Sequence, residues 1–400
     1  MGYDVAAIRA SFPALTEGAA HFDGPGGSQV PVAVADAVAG TLRSAIANRG
    51  WLTPAERRAD GIVVEARQAL ADLVGAEPRG VVFGRSMTAL AFQFAHTLAK
   101  DWGPGDEVVV TRLDHDANIR PWVLAADAVG ATVRWAEFDR DTGELPTEAV
   151  TSLLSERTRL VAVTGASNLL GTRPDVATIA AAAHAVGALV HVDGVHLTPH
   201  APIDVSSLGA DLFSCSPYKF LGPHLGAMVA APELLETLRP DKLLPSTDAV
   251  PERFELGTLP YELLAGTTAA IDFLADIAGD GGTRRTRLLT ALELLEDHET
   301  ALAERMEAGL ASLPRVRLLG GAALRTPTVA FLVDGLEPAD VAQHLADAGI
   351  NAPASHFYAL EPCRWLGLGD TGAVRAGIAP YTDATDVDRL LTAMQDLVAP

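Results

Sequence analysis

From about residue 60 to residue 235 the chain alternates short runs rich in β-branched and aliphatic residues with Ala-rich runs of helical length, and this alternation limits the folds open to it. Strands are predicted at 81–83, 107–111, 132–137, 160–163, 189–192, 212–214 and 227–230, with helical stretches at 88–100, 118–129, 147–154 and 176–186 between them. Elements of these lengths in this order imply an α/β fold, a mainly parallel seven-stranded sheet held between helices. In such sheets a ligand binds beyond the carboxyl ends of the strands. The residues just after each strand therefore carry the argument about function.

After Pro251 the pattern changes. Long helical stretches at 262–278 and 284–313 flank a Gly279-Asp-Gly-Gly282 break. A smaller β/α pattern follows, with strands at 329–333 and 374–378 and helices at 338–348 and 385–397. The expected division is a large domain over 15–260 and a smaller C-terminal α+β domain over 261–400 that takes in residues 1–14. A net charge of −21 lacks the basic footprint of a nucleic-acid binder and disfavours anionic membrane surfaces. Two cysteines, Cys215 and Cys363, cannot form a disulfide framework, and no basic-then-apolar leader pattern opens the chain. A cytoplasmic protein that binds neither nucleic acid nor membrane is the expectation.

Positive charge is carried by arginine almost throughout; the only lysines are Lys100, Lys219 and Lys242. Lys100 and Lys242 lie in polar surroundings and read as surface charges. Lys219 follows an apolar strand in Asp211-Leu-Phe-Ser-Cys-Ser-Pro-Tyr-Lys219. An ammonium there can lose its proton and attack a carbonyl, which a guanidinium cannot do. The same lysine could instead lay its stem over apolar surface.

The other strand ends decide between these readings. Gly84-Arg-Ser86-Met87-Thr88 opens a helix, where free N–H groups favour a phosphate, although Ser86 could simply be a helix cap. Asp114-His115-Asp116 places a histidine between two carboxylates, which should favour its imidazolium form and suit proton transfer. Ser167-Asn168 and His191-Val-Asp193-Gly-Val-His196 supply an amide, an aspartate and a further histidine. His191, His196 and His200 span a strand-to-loop change and carry no cysteine or carboxylate set, so no metal site is expected. A phosphate cradle, an acid, a histidine and a late lysine at the ends of one sheet are what pyridoxal phosphate needs: a Schiff base through lysine and an acidic partner for the ring nitrogen. No G-x-G-x-x-G or G-x-x-x-x-G-K-[ST] follows a predicted strand, which disfavours flavin, nicotinamide and nucleoside triphosphate binding.

The chain resembles the class V aminotransferase superfamily of fold-type I enzymes, in its cysteine-desulfurase-like branch. The resemblance rests on His21-Phe-Asp-Gly-Pro-Gly-Gly27, Asp114-His-Asp-Ala-Asn118 followed by Pro121-Trp122, Ser167-Asn-Leu-Leu-Gly171, Asp193-Gly-Val-His196, Ser216-Pro-Tyr-Lys219 and Arg253-Phe-Glu-Leu-Gly-Thr258. It implies that Lys219 forms the Schiff base, Asp193 pairs with the ring nitrogen and His115 stacks on the ring. Asn168 and His196 would contact the ring hydroxyl. Ser86, Met87, Thr88, Ser216 and Tyr218 would hold the phosphate. Thr258 would reach the site of a neighbouring subunit, which implies a homodimer, and Arg375 would grip the substrate α-carboxylate.

One departure bears on the reaction. The desulfurase branch carries a catalytic cysteine, and Tyr358 stands at its position; Pro353 stands where an arginine is usual. Cys363 is either a displaced nucleophile or a packed structural thiol. The expected function is that of a pyridoxal-phosphate enzyme acting on a small L-amino acid, by desulfurase-like or C–S lyase β-elimination. Transamination and epimerisation are the alternatives, and a catalytically silent binding protein on the same fold is a third possibility that the retained Lys219, Asp193, His115 and Arg375 argue against.

Overall fold

A computed structural model describes residues 2–399. Its centre is a seven-stranded sheet: β1 (Val81–Gly84), β2 (Glu107–Thr111), β3 (Thr132–Ala136), β4 (Thr158–Thr164), β5 (Leu189–Asp193), β6 (Leu212–Cys215) and β7 (Gly226–Ala230). The order across the sheet is β1-β7-β6-β5-β4-β2-β3, and only β7 runs antiparallel to the other six strands. All seven strands fall where the sequence pattern places them, with ends moved by at most two residues. The reason is local. Strands such as Val108-Val-Val110 are apolar on both faces, as a sheet covered by helices on both sides requires. Each of these fully buried valines contributes roughly 1.5–3 kcal/mol relative to exposure.

Register brings the strand ends level. Thr164 closing β4 lies opposite Asp193 closing β5, which lies opposite Ser214 in β6. One carboxyl edge therefore presents the segments that begin after β1, β2, β4, β5 and β6.

The C-terminal part forms a four-stranded antiparallel sheet in the order 354–355, 373–377, 328–333 and 316–319. Its own core includes Phe331, Val341, Leu345, Val374, Leu390 and Met394. The N-terminal segment crosses to it: Ala20–His21 pairs in parallel with Ile350–Asn351, and Asp23 bridges to Gly377. Two helices, Val32–Arg43 and Pro54–Val74, lie outside the expected elements. The second begins with a complete capping box, Thr53 with Glu56, and a proline at its first turn, a start signal present in the sequence. Helix Tyr261–Asp276 packs on both of them. Among the described residues no helix is long and apolar enough to cross a membrane.

Candidate active site

The carboxyl edge of the large sheet and strand 373–377 with the loop before it enclose a cavity of about 370 Å³. Twelve of the thirteen site residues expected from sequence concern this region, and the structure sorts them.

At one end lies the start of helix Met87–Ala99. Ser86 caps it, its Oγ accepting from Ala89 N at 3.1 Å. That leaves the Met87 and Thr88 N–H groups, at the first turn, with no carbonyl of the helix to donate to. Met87 and Thr88 line the cavity with Ser216 and Tyr218, whereas Ser86 does not. The approach is tight enough to require glycine in β7: a Cβ on Gly226 would stand 2.1 Å from Met87 N.

On the floor, Asp193 is buried, and burial pushes its carboxyl up to about 6 against the opposing effects of the Val195 N–H, 3.0 Å away, and of Lys219. Asn168 donates through Nδ2 to Phe357 O at 2.9 Å, and its buried Oδ1 has no partner in the protein. His196 binds Thr328 Oγ1 (2.9 Å) and Thr326 Oγ1 (3.0 Å) through Nε2, while its Nδ1 is likewise buried without a partner. Burial, with His200, Arg375 and Lys219 nearby, holds the His196 imidazole neutral.

His115 corrects the charge expected from its neighbours. Asp114 turns inward, accepting from Thr111 Oγ1 and from Asn118 Nδ2 at 2.6 Å, and burial lifts its carboxyl to about 8. Asp116 is spent on Arg120 at 3.0 Å. His115 is half-buried and faces Lys219 and Arg375; desolvation first, and then these two charges, push its imidazolium down to about 3. The ring is neutral. Its Nδ1 accepts from Ala117 N at 3.0 Å, so the proton resides on Nε2. Tyr358 stacks on it, ring centroids 5.6 Å apart, and stands 70% exposed at the mouth.

Lys219 donates to Pro25 O and lies 4.8 Å from the centroid of the Tyr218 ring. Burial first and Arg375 second lower its ammonium to about 7, a value at which the free amine is well populated near neutrality. Arg375, 2% exposed, donates to Asn168 O (2.9 Å) and Asp23 Oδ1 (2.8 Å), lies 3.8 Å from the Phe357 ring centroid, and keeps its Nε unpaired.

Other expectations separate from this cluster. Thr258 lines a different depression, with Phe83, Arg85, Gln93 and Phe254. His191 bonds Asn118 Oδ1 (2.6 Å) and Ser214 (3.2 Å) and stands apart from His196 and His200, whose rings pack edge to face with centroids 5.2 Å apart while His200 pairs with buried Glu299 at 2.7 Å. Cys363 lies on helix Leu360–Trp365 behind the wall, its Sγ 4.0 Å from His356 O; burial raises it and Cys215 to about 12, and neither lines the cavity. Two contributors went without a role in the sequence reading. Asp23 precedes a Gly-Pro-Gly-Gly turn, a visible signal, while Phe357 carries none.

The donor set fits pyridoxal phosphate. Open helix N–H groups suit its phosphate, the buried carboxyl of Asp193 accepts a hydrogen bond from the Val195 N–H alone, and Asn168 Oδ1 and His196 Nδ1 are orphaned in the same cavity. Comparison with known proteins agrees. The pattern of the family described as aminotransferase class-V matches residues 20–390. An uncharacterized protein of Mycobacterium tuberculosis is 38% identical over 99% of this chain and 100% of its own length. The aminotransferase-like protein FGM3 of Gibberella zeae is 32% identical over 98% of each. The cysteine desulfurase CsdA of Escherichia coli superposes with a TM-score of 0.87 at 27% identity, covering 100% of both chains. The chain belongs to the class V aminotransferase family and is a pyridoxal-phosphate-dependent enzyme.

Proposed function

We propose that the chain is a β-eliminating lyase for a small L-amino acid that carries a leaving group, such as a thiol or sulfide, on Cβ. The observation that favours elimination over sulfur transfer to the enzyme is that no thiol lines the cavity. Tyr358 occupies the mouth, and both cysteines are buried behind its walls with their protons held firmly.

Bound pyridoxal phosphate supplies the sink for the electron pair left when the Cα–H bond breaks. Arg375, which lines the cavity, receives the α-carboxylate, and its fixed guanidinium plane orients Cα. Lys219 takes the Cα proton. Its amine is the base because His115 Nδ1, the ring's acceptor, is already engaged by Ala117 N–H. His115 Nε2–H remains as a hydrogen-bond donor toward the ring or the departing group. The stacked pair Tyr358 and His115 limits water at the reacting carbons. Asp193 holds the proton on the ring nitrogen. Phosphate contacts belong to Met87, Thr88, Ser216 and Tyr218. Thr258 completes a site only in a homodimer, where it would serve the partner.

The test is a panel of β-substituted L-alanines given to the purified enzyme. Equal amounts of pyruvate and released leaving group are expected. A keto acid that keeps its side chain while pyridoxamine phosphate accumulates would instead assign transamination, and Cα deuterium exchange with inversion would assign epimerisation. The thiols provide a second check. The double variant Cys215→Ala/Cys363→Ala should keep kcat/KM within about threefold, with some loss of thermal stability from the two small cavities. A fall of a hundredfold with the fold intact would return a cysteine to the mechanism.

A further inference from the structure

The loop from Asp23 to Gly26 holds both functional cations of the site. Its Asp23 carboxylate pairs with Arg375 at 2.8 Å, and the Pro25 carbonyl accepts from Lys219 Nζ. The loop is fastened to the strand that carries Arg375: Gly377 N donates to Phe22 O at 2.7 Å, and a Cβ at Gly377 would stand 2.3 Å from Pro25 Cδ. Arg375 is 2% exposed and Asp23 33%, so the guanidinium is fixed and the carboxylate has access to the cavity.

These contacts set up a competition. Lys219, Arg375, Asp193 and Asp23 are the Lys, Arg, Asp and Glu side chains lining the cavity, two of each sign. A substrate α-carboxylate arriving at Arg375 becomes a second anion on a guanidinium that already has one, and like charges in a buried site repel strongly. We propose that Asp23 is a displaceable counter-ion: it occupies Arg375 in the resting site and yields it to the substrate carboxylate. Without Asp23 the resting site would hold a buried, unpaired guanidinium beside the lysine and would bind any small anion, keto-acid products included. The role is one of positioning and selectivity, and Asp23 takes no part in bond making.

The proposal rests on Arg375 receiving the carboxylate; it does not depend on which reaction follows. The probe is propionate, which has the carboxylate and lacks the amine, titrated calorimetrically into the holoenzyme. Asp23→Asn keeps the shape and one acceptor for Arg375 but removes the charge. It should bind propionate about tenfold more tightly than the natural enzyme. The pH midpoint of the lysine-bound cofactor's absorption band should fall by about one unit, because a carboxylate that favours the protonated nitrogen has gone. Asp23→Ser should do the same, which guards against a folding defect particular to one variant. Unchanged or weaker propionate binding in both variants would overturn the proposal and leave Asp23 as an orienting or structural contact. If Arg375→Gln binds propionate as the natural enzyme does, the carboxylate role of Arg375 fails, and the proposal falls with it.

Discussion

Lys219→Ala is expected to lower turnover by on the order of 10⁴-fold or more, as loss of a residue that forms the covalent link does elsewhere. Borohydride should then fix no cofactor to the protein. The prediction is sharp because the chain has so few amines. Lys100 is paired with Asp241 at 2.7 Å and Lys242 with Asp248 at 3.2 Å, and neither lines the cavity. Lys219→Arg should fail as well, since a guanidinium keeps its proton and cannot attack the aldehyde. A pH dependence accompanies it. The attacking amine must be unprotonated, and burial with Arg375 sets its ammonium near 7. Loading of cofactor-free enzyme should therefore speed up as pH rises through about 7 and level off above it. A rate still climbing tenfold per unit at pH 9 would mean that the lysine is solvated and that the cavity does not depress it. Covalent fixation surviving in Lys219→Ala would assign the linkage to another amine.

Much of this site was legible in the sequence because strand ends in a parallel sheet carry their own position. The apolar run Leu189–Val192 predicts a strand, and its terminal Asp193 must then lie on the carboxyl edge, level with Thr164 and Ser214. Likewise Lys219 follows β6 by too few residues to be anywhere else. What the sequence left open depends on three-dimensional partners. The charge of His115 departs from the sequence expectation because flanking in the chain is not proximity in space: Asp114 turns to Thr111 and Asn118, Asp116 to Arg120, and the ring meets cations instead. The helix at 54–74 carries a readable cap and proline, but it precedes the first predicted strand, at 81, and so has no strand before it to frame it. Phe357 could not be found from composition or spacing. It holds a left-handed backbone (φ 52), as does Tyr358 (φ 57), a conformation that costs side-chain-bearing residues on the order of 1–3 kcal/mol. Its place is fixed by Asn168 on its carbonyl and Arg375 on its ring, both distant in sequence.

Asp193→Asn is expected to lower kcat by about 10²–10³-fold, the range seen when one preorganised electrostatic contact is lost, with KM little changed. Asparagine fits the same space and can still accept from Val195 N–H, so cofactor held by Lys219 and the helix start at Met87 should stay bound. What changes is charge. In the cofactor-free cavity burial already drives the Asp193 carboxyl to about 6, a strain that a cationic ring N–H relieves by restoring the ionised form. A neutral amide offers no such exchange and leaves the ring nitrogen unprotonated, so the sink for the Cα electron pair is weakened at its source. Removing a buried carboxyl that lacks a full partner should at the same time leave the cofactor-free protein no less stable toward denaturant, so that loss of rate without loss of stability separates this role from a packing role. If Asp193→Asn keeps kcat within tenfold of the natural enzyme, proton retention on the ring is not what Asp193 supplies, and the carboxylate acts only to hold Val195 and the turn that follows it.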